Sequence, residues 1–410
     1  MVSKNAARAF ALKKQGFNYP RTVVNKKRLL KVLRELGCVQ IDSINVVERS
    51  HYLAFWSRVG NYKKQLLDNL LSHDRKVFEY WAHAASIIPI EYYRYFIPAM
   101  KERQKVVRSK AKNWLKKDAG LVDTVLQRIK RDGPLSSKDF KSEHKGKSNS
   151  GWWSWKPAKY ALELLYDAGI LMVSRRENFQ RYYDLTENVL PSNINIDEPT
   201  QEEQQRFFLT KTLDAWGLAK PKDISQYFYS WSTKTNLGVK ALTNIINELA
   251  KEDVIKSASI EGCNDQYLML TKDTRSLKET TDLAREAHSV TLISPFDNLT
   301  WSKPRTKDLF DFQPTLEVYL PRKTRKFGYY ALNILFDNQI VGRLDPKIHR
   351  DHARLEIRAL EMQQNFRITE EFAVELASAL KDFMVFNGAK NCQISKNCPA
   401  FLRKLDLSSC

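Results

Sequence analysis

The chain has 410 residues, 43% of them hydrophobic, and its 67 lysines and arginines against 47 aspartates and glutamates leave a formal net charge of +20. This apolar content supports packed cores and excludes a disordered chain; at roughly 150 residues per domain, the length suggests two to four compact units. The charge exceeds the roughly 2–8 that keeps a small domain soluble and points to a polyanionic partner: DNA, RNA or an acidic membrane surface.

The membrane is the weakest of the three. There is no run of about 18 apolar residues, and MVSKNAARAFALKKQGF at the N-terminus carries charge throughout. That stretch lacks a signal-peptide core and reads as an amphipathic helix, with an Arg-rich transit peptide as the alternative. Next, Lys26 to Leu36 is amphipathic, with Leu29, Leu30, Val32, Leu33 and Leu36 apolar, and Gly37 closes the helix. Cys38-Val39-Gln40-Ile41-Asp42 follows as a strand, in a degenerate copy of the helix-and-hairpin unit that recurs downstream. Side chains alternate along a strand, so Val39 and Ile41 face the core while Gln40 and Asp42 point together to the open side.

A carboxylate and a carboxamide on one face suit hydrolysis of an N-glycosidic bond. The carboxylate stabilises an oxocarbenium-like transition state and takes a proton from water. The carboxamide orients that water through its donor and its acceptor. The same alternation also fits an ordinary solvated strand face. Just beyond, Glu48, Arg49 and His51 either back this motif or contact a phosphate, or else make a salt bridge at a helix start. In Trp56-Ser57-Arg58, the arginine is expected on the DNA backbone and the tryptophan in a core. His83, in EYWAHAAS, either lines the site or is a structural histidine. The basic stretch KERQKVVRSKAKNWLKK tracks a phosphate backbone or is a solvated helix face.

The middle of the chain repeats itself. Gly133 recurs 84 residues on as Gly217, Asp139-Phe140 as Asp223-Ile224, Gly169-Ile170-Leu171 as Asp253-Val254-Ile255, and Tyr183 as Tyr267. Each copy predicts a first helix (119–131, 202–216), a second capped by Asp139 or Asp223, a third (156–168, 237–251), and two strands (170–175 and 180–186, 253–258 and 266–271). Three helices and a hairpin form the winged-helix plan, whose third helix enters the major groove; the same plan also serves protein contacts alone. The first wing holds Arg175, Arg176 and Arg181 after Lys156 and Lys159, whereas the second holds Lys256 beside Glu261 and Asp265. The first copy is thus the expected DNA contact. Trp152, Trp153 and Trp155 precede its third helix, either against the DNA or packed inside the unit.

From about 289, VTLIS, TLEVYL, GYYALNILF, QIVGRLD and RLEIRALEM read as closely spaced strands, followed by a helix at 368–387. The expected fold class is α+β: tandem winged-helix units with a C-terminal β-rich, barrel-like domain capped by a helix. The expected divisions are 1–118, which carries the motif, 119–190, 200–272 and 288–410. Arg322, Lys323 and Arg325 make a basic loop, a candidate phosphate clamp. Arg343-Leu344-Asp345-Pro346 reads as a strand end with a turn and an internal ion pair. Cys38, Cys263, Cys392, Cys398 and Cys410 are odd in number, scattered and without a CxxC pair, which fits a reducing compartment and offers no zinc site. No GxxxxGK, HExxH or GxSxG motif occurs.

The segments LGCVQIDSINVVERSHYLAFWSRVGNY, EYWAHAASIIP, GWWSWKPAKYALELLYDAGILMVSRRENFQRYYDLTENVLP, SPFDNLTW and YYALNILFDNQIVGRLDPK together resemble, in order, the YcaQ/AlkZ family of winged-helix DNA glycosylases. The resemblance covers nearly the whole chain. It implies a catalytic Gln-apolar-Asp motif, matched here by Gln40-Ile41-Asp42, and resembles the YcaQ branch, associated with excising ring-nitrogen-alkylated purines and unhooking interstrand crosslinks. It further implies a monofunctional enzyme with water as nucleophile, no metal or other cofactor, and double-stranded DNA as partner at an open site. Without heptads, a monomer is expected, located in the cytoplasm with the nucleoid of a bacterial-type cell. The alternative on the residues alone is a non-enzymatic winged-helix transcription regulator.

Overall fold

A computed structural model describes residues 1–18, 22–105, 120–140, 155–228, 239–282 and 289–407. In chain order it contains α1 (Lys4–Lys14), α2 (Lys26–Leu36), the short strand β1 (Val39–Gln40), α3 (Ser50–Val59), α4 (Gln65–Ser72), β2 (Val77–Trp81), β3 (Ala85–Pro89), α5 (Leu121–Asp132), α6 (Trp155–Asp167), β4 (Leu171–Glu177) and β5 (Gln180–Leu185). There follow α7 (Gln201–Trp216), α8 (Pro221–Tyr227), α9 (Val239–Lys251), β6 (Ile255–Ala258), β7 (Tyr267–Leu270), α10 (Thr274–Asp282), β8 (Val290–Ile293), α11 (Lys303–Phe310), β9 (Leu332–Phe336), β10 (Gln339–His349), β11 (Arg354–Met362), α12 (Glu370–Asn387) and β12 (Asn391–Ile394). The fold is mixed α+β. Two compact units form: Met1–Lys63 with Phe208–Tyr227 and Gly238–Cys410, and Lys64–Phe207 with Phe228–Leu237.

The first unit is organised by a five-stranded sheet in the order β12-β11-β10-β9-β8. Leu332, Ile334 and Phe336 of β9 share a core with Phe372, Leu376, Leu380 and Phe383 of α12 and with Leu53 and Trp56 of α3. On the alternate face, Leu335 of β9 and Ile293 of β8 join Ala7, Phe10 and Ala11 of α1, with Leu309 of α11. Burial on both faces explains why every residue of LNILF is buried, Asn333 included, instead of every second one. The expected barrel is not what forms: the strand order is linear, with β8 and β12 at its two edges. Helices cover both faces, so the sheet has no open face to roll up against itself. β12 returns through α12 to lie parallel to β11, with Arg354 opposite Asn391.

The Asp345-Pro346 step does not end its strand. β10 continues to His349, and its pairing with β11 shifts register between Asp345 and Pro346. Proline has no N–H for the ladder, and a bulge absorbs that loss. Arg343 is paired with Glu361 across the sheet, at 3.1 Å, and not with Asp345.

Under the sheet lies a buried ion pair. Arg58 Nη1 and Nη2 reach Asp297 Oδ2 and Oδ1 at 2.7 and 2.9 Å, and both side chains are fully covered. Arg58 also donates to the carbonyls of Gln15 (2.6 Å) and Ala54 (2.7 Å). The expectation that Arg58 touches DNA is therefore corrected: its donors are spent on the interior, joining α1, α3 and the segment after β8.

The second unit contains the hairpins β2–β3 and β4–β5. The β4–β5 turn is the two-residue pair Asn178-Phe179, both left-handed at φ 47° and 68°. Such a turn matches the twist of a hairpin, but phenylalanine rarely adopts this conformation. Arg176 holds it by donating to the Phe179 carbonyl (2.8 Å) and lying 4.3 Å from the centre of its ring. The same guanidinium meets buried Glu79 at 2.5 and 2.7 Å, and Arg181 reaches Glu79 at 3.4 Å. Arg176 and Arg181, expected on DNA, are thus mostly covered and serve the hairpin itself. Arg175 is the outward member of the set, paired with Glu177 at 2.8 Å and stacked on Tyr182.

Both copies of the sequence repeat build the same additional contact. Two residues after Gly133, Leu135 bridges Tyr183; two residues after Gly217, Ala219 bridges Leu268. Each bridge joins the second strand of the following hairpin. In the second copy, Asp223 lies in the first turn of α8, not before it, and accepts from Ser302 Oγ at 2.9 Å. In the first, Asp139 accepts from the amide and hydroxyl of Ser136, both at 2.7 Å.

Two tests follow from the buried charges. Asp297→Ala strands the Arg58 guanidinium and is expected to cost about 3–5 kcal/mol. Lys381→Ala, which removes the exposed Lys381–Asp406 pair, is expected to cost less than about 1 kcal/mol; urea midpoints compare the two. For Glu79, burial pushes the carboxyl upward, but Arg176 and Arg181 outweigh it and hold it below its ordinary value. Its contribution is therefore full above the unfolded carboxylate value of about 4.3 and is lost as pH falls through the depressed folded one. Glu79→Gln is expected to lower stability at neutral pH, and its difference from wild type to shrink on acidification; a difference that stays constant from neutrality to pH ~3 would refute this linkage.

Candidate active site

The motif is positioned from both sides. Asn25 Oδ1 caps α2 by accepting from the Arg28 amide at 3.0 Å, and the five apolar residues of α2 are buried. Gly37 ends the helix at φ 75°, turning the chain directly into β1. Val39 and Ile41 are buried, while Gln40 and Asp42 are only partly covered, as strand alternation requires. The strand is shorter than expected and stops at Gln40. Asp42 Oδ1 accepts from the Ile44 amide at 2.7 Å, a local turn that competes with strand pairing and ends it.

Residues 41–49 have no regular structure, yet the carbonyls of Ser43, Asn45, Val46 and Val47 all accept hydrogen bonds. Arg49 donates to the Ser43 carbonyl (2.7 Å) and Ile348 of β10 to the Val46 carbonyl (3.0 Å). Arg350, just beyond β10, donates to the Asn45 carbonyl (3.1 Å), Asn45 Oδ1 (2.8 Å) and the Val47 carbonyl (2.6 Å). Ser50 Oγ donates to the Gln40 carbonyl at 3.0 Å, and Val47 enters the core between sheet and α12. Arg350 and Ser50 carried no signal in the sequence, because their partners become apparent only in the fold.

Burial raises the Asp42 carboxyl above its ordinary value, against the opposing pull of the Ile44 amide and the Arg49 charge. Two tyrosines sense this carboxylate. Burial raises the Tyr319 phenol and the Asp42 charge adds to it. Tyr330 is fully covered, its hydroxyl 3.1 Å from Ser294 Oγ. Its phenol is raised by burial foremost and further by Asp42 and Glu48. Such a carboxylate is a better proton acceptor than a solvated one when ionised.

The other candidates divide. Glu48 is buried and accepts from the Arg49 amide at 2.9 Å, and His51 is buried in the first turn of α3 with its ring 4.1 Å from that of Tyr52. Both flank the motif loop within the first unit. His83 is half-buried in the turn between β2 and β3 of the second unit. Lys159 is exposed on α6, 3.8 Å from Glu163. Arg322 and Lys323 are exposed, whereas Arg325 is half-covered against the Tyr329 ring. Trp153 lies outside the described residues, as does the Lys156 side chain. Among the described residues, no group of three or more His, Cys, Asp or Glu is placed to hold a metal ion, and no helix is long and apolar enough to cross a membrane.

The chain is similar in structure to the Streptomyces sahachiroi DNA glycosylase AlkZ, with a TM-score of 0.61 and 15% identity over 96% of this chain and 100% of that one. The family model described as DNA glycosylase AlkZ-like matches residues 33–386, a span that includes the Gln40-Ile41-Asp42 segment. The chain therefore belongs to the AlkZ-like DNA glycosylases, enzymes that hydrolyse N-glycosyl bonds in DNA.

Proposed function

We propose that the protein removes alkylated purines from duplex DNA and unhooks interstrand crosslinks, with Asp42 activating water and Gln40 positioning it. The observation that carries this reading is that Gln40 and Asp42 are both partly exposed beside buried Val39 and Ile41, on a segment held by hydrogen bonds from Arg350 and Ile348, with the Asp42 carboxyl raised. In the reaction, Asp42 takes a proton from water and the water oxygen forms a bond to C1′. The N-glycosidic pair leaves with the purine and neutralises the positive charge that alkylation placed on its ring. Such a leaving group asks little of an acid, so one carboxylate suffices, and its charge also stabilises the oxocarbenium-like transition state. The Gln40 carboxamide has both an acceptor and donors to hold the attacking water.

The repeats are read as tandem winged helices. Helix, hairpin and the matching Leu135–Tyr183 and Ala219–Leu268 bridges support that assignment. DNA contacts are assigned to Arg175, Lys156 and Lys159 on the first copy and to Arg322, Lys323 and Arg325 on the basic loop. The enzyme works as a monomer on double-stranded DNA and needs no cofactor.

The test is release of 7-methylguanine from methylated duplex DNA, and unhooking of a mustard crosslink, by wild type and Asp42→Asn. The variant is expected to lose about 10²–10⁴-fold in rate while binding DNA as before. Equal release by both would remove Asp42 from the chemistry. Arg350→Ala, which retains the Asp42 residue but frees the loop that holds it, is expected to lower the rate by on the order of 10²-fold through misplacement, with DNA affinity unchanged.

A further inference from the structure

The loop between α11 and β9 presents an apolar point where a soluble surface would be polar. Tyr319 is 69% exposed and Leu320 42%, next to each other in the chain. Two large apolar side chains exposed side by side stand out among the exposed residues of this protein. Arg322 and Lys323 follow at once, both exposed, so the same point carries positive charge.

The loop is held from within. Glu317, itself buried, accepts from three successive amides, Lys326 (2.9 Å), Phe327 (2.7 Å) and Gly328 (3.2 Å). Gly328 sits at φ 122° against Asp345, where a side chain would collide with the carboxylate. Arg325 Nε donates to the Leu320 carbonyl at 2.9 Å while its guanidinium lies 4.6 Å from the centre of the Tyr329 ring. Val318 anchors the base of the loop in the core that also takes Val47, with Ile44 and Val46 packed against the same core. The apolar point and the Asp42 loop thus stand on one support, and the Asp42 charge is felt at the Tyr319 phenol. A point fixed in this way loses little entropy when it binds.

We propose that Tyr319 and Leu320 form a wedge that enters the base stack of duplex DNA beside the damaged nucleotide, with Arg322 and Lys323 on the neighbouring phosphates. Apolar side chains inserted at a base step, flanked by cations, unstack it and open the duplex, and an aromatic ring then replaces the lost stacking. The inference rests on the assignment of the chemistry to Asp42, because the wedge needs a lesion to stand beside.

The test uses the full chain and a duplex with 2-aminopurine next to a 7-methylguanine, whose fluorescence rises on unstacking whether or not a base is released. Wild type is expected to raise the fluorescence, and Tyr319→Ala with Leu320→Ala to abolish the rise. The same variant is expected to lose on the order of ten- to a hundredfold in release from paired duplex and much less from a single strand, where nothing need be unstacked. Tyr319→Phe keeps the ring and is expected to restore both. An unchanged fluorescence rise in the double variant, or no rise with bound wild type, overturns the wedge. A normal rise without base release by the wild type overturns the proposed excision of alkylated purines and leaves the wedge standing. Both side chains are exposed, so an unchanged urea midpoint is expected and separates these losses from unfolding.

Discussion

Arg350 makes three hydrogen bonds to a segment that cannot hold itself. Residues 41–49 form neither helix nor strand, and unsatisfied backbone carbonyls are costly wherever water is excluded. Arg350, Ile348 and Arg49 between them supply donors for the carbonyls of Ser43, Asn45, Val46 and Val47. Val47 then locks the segment by entering the core of the sheet. A short loop becomes a fixed mount for a carboxylate because a sheet from the other end of the chain completes its hydrogen bonding. Rigid support of this kind separates a site that is merely present from one that is placed to react.

Beneath that mount, Arg58 and Asp297 play the corresponding part for the helices. Two buried charges gain stability only if all their partners are present, and Arg58 has them, in Asp297, the Gln15 carbonyl and the Ala54 carbonyl. The arrangement tolerates little rearrangement, which suits a framework whose task is to keep α3 and the Asp42 loop in one position. Arg305 is also buried and donates to the Trp216 and Leu218 carbonyls at 2.7 Å, but its Nη1 is left without a hydrogen-bond partner among the described residues.

These arginines also show what could be read from the sequence and what could not. Local signals were legible. The apolar spacing of α2 and Gly37 specify a helix whose observed limits are Lys26 and Leu36, and alternation correctly separates Val39 and Ile41 from Gln40 and Asp42. The repeat located both hairpins, β4–β5 and β6–β7. Long-range pairing was not legible. Arg58 looks like a surface cation until Asp297 arrives from 239 positions away, and Arg176 and Arg181 look like a DNA-facing cluster until Glu79 is placed beneath them. Helix coverage of both sheet faces likewise depends on segments hundreds of residues apart, so strand spacing alone suggested a barrel. A net charge of +20 therefore identifies the class of partner without identifying the residues that meet it, since some of the cations are structural.

The same accounting bears on the chemistry. A carboxylate in a strongly cationic protein would ordinarily be held down by its surroundings, becoming a weaker base. Around Asp42 burial outweighs the pull of the Arg49 charge, whose guanidinium is engaged at the Ser43 carbonyl, and the carboxyl is raised. Buried Tyr330 and the largely exposed Tyr319 feel its charge, and neither is a further cation. The positive charge proposed to hold DNA stands at exposed Arg322 and Lys323, neither of which is among the charges that shift the Asp42 carboxyl. Separating the cations proposed to bind phosphate from the carboxylate proposed to take a proton would let one basic surface attract DNA without disabling its own base.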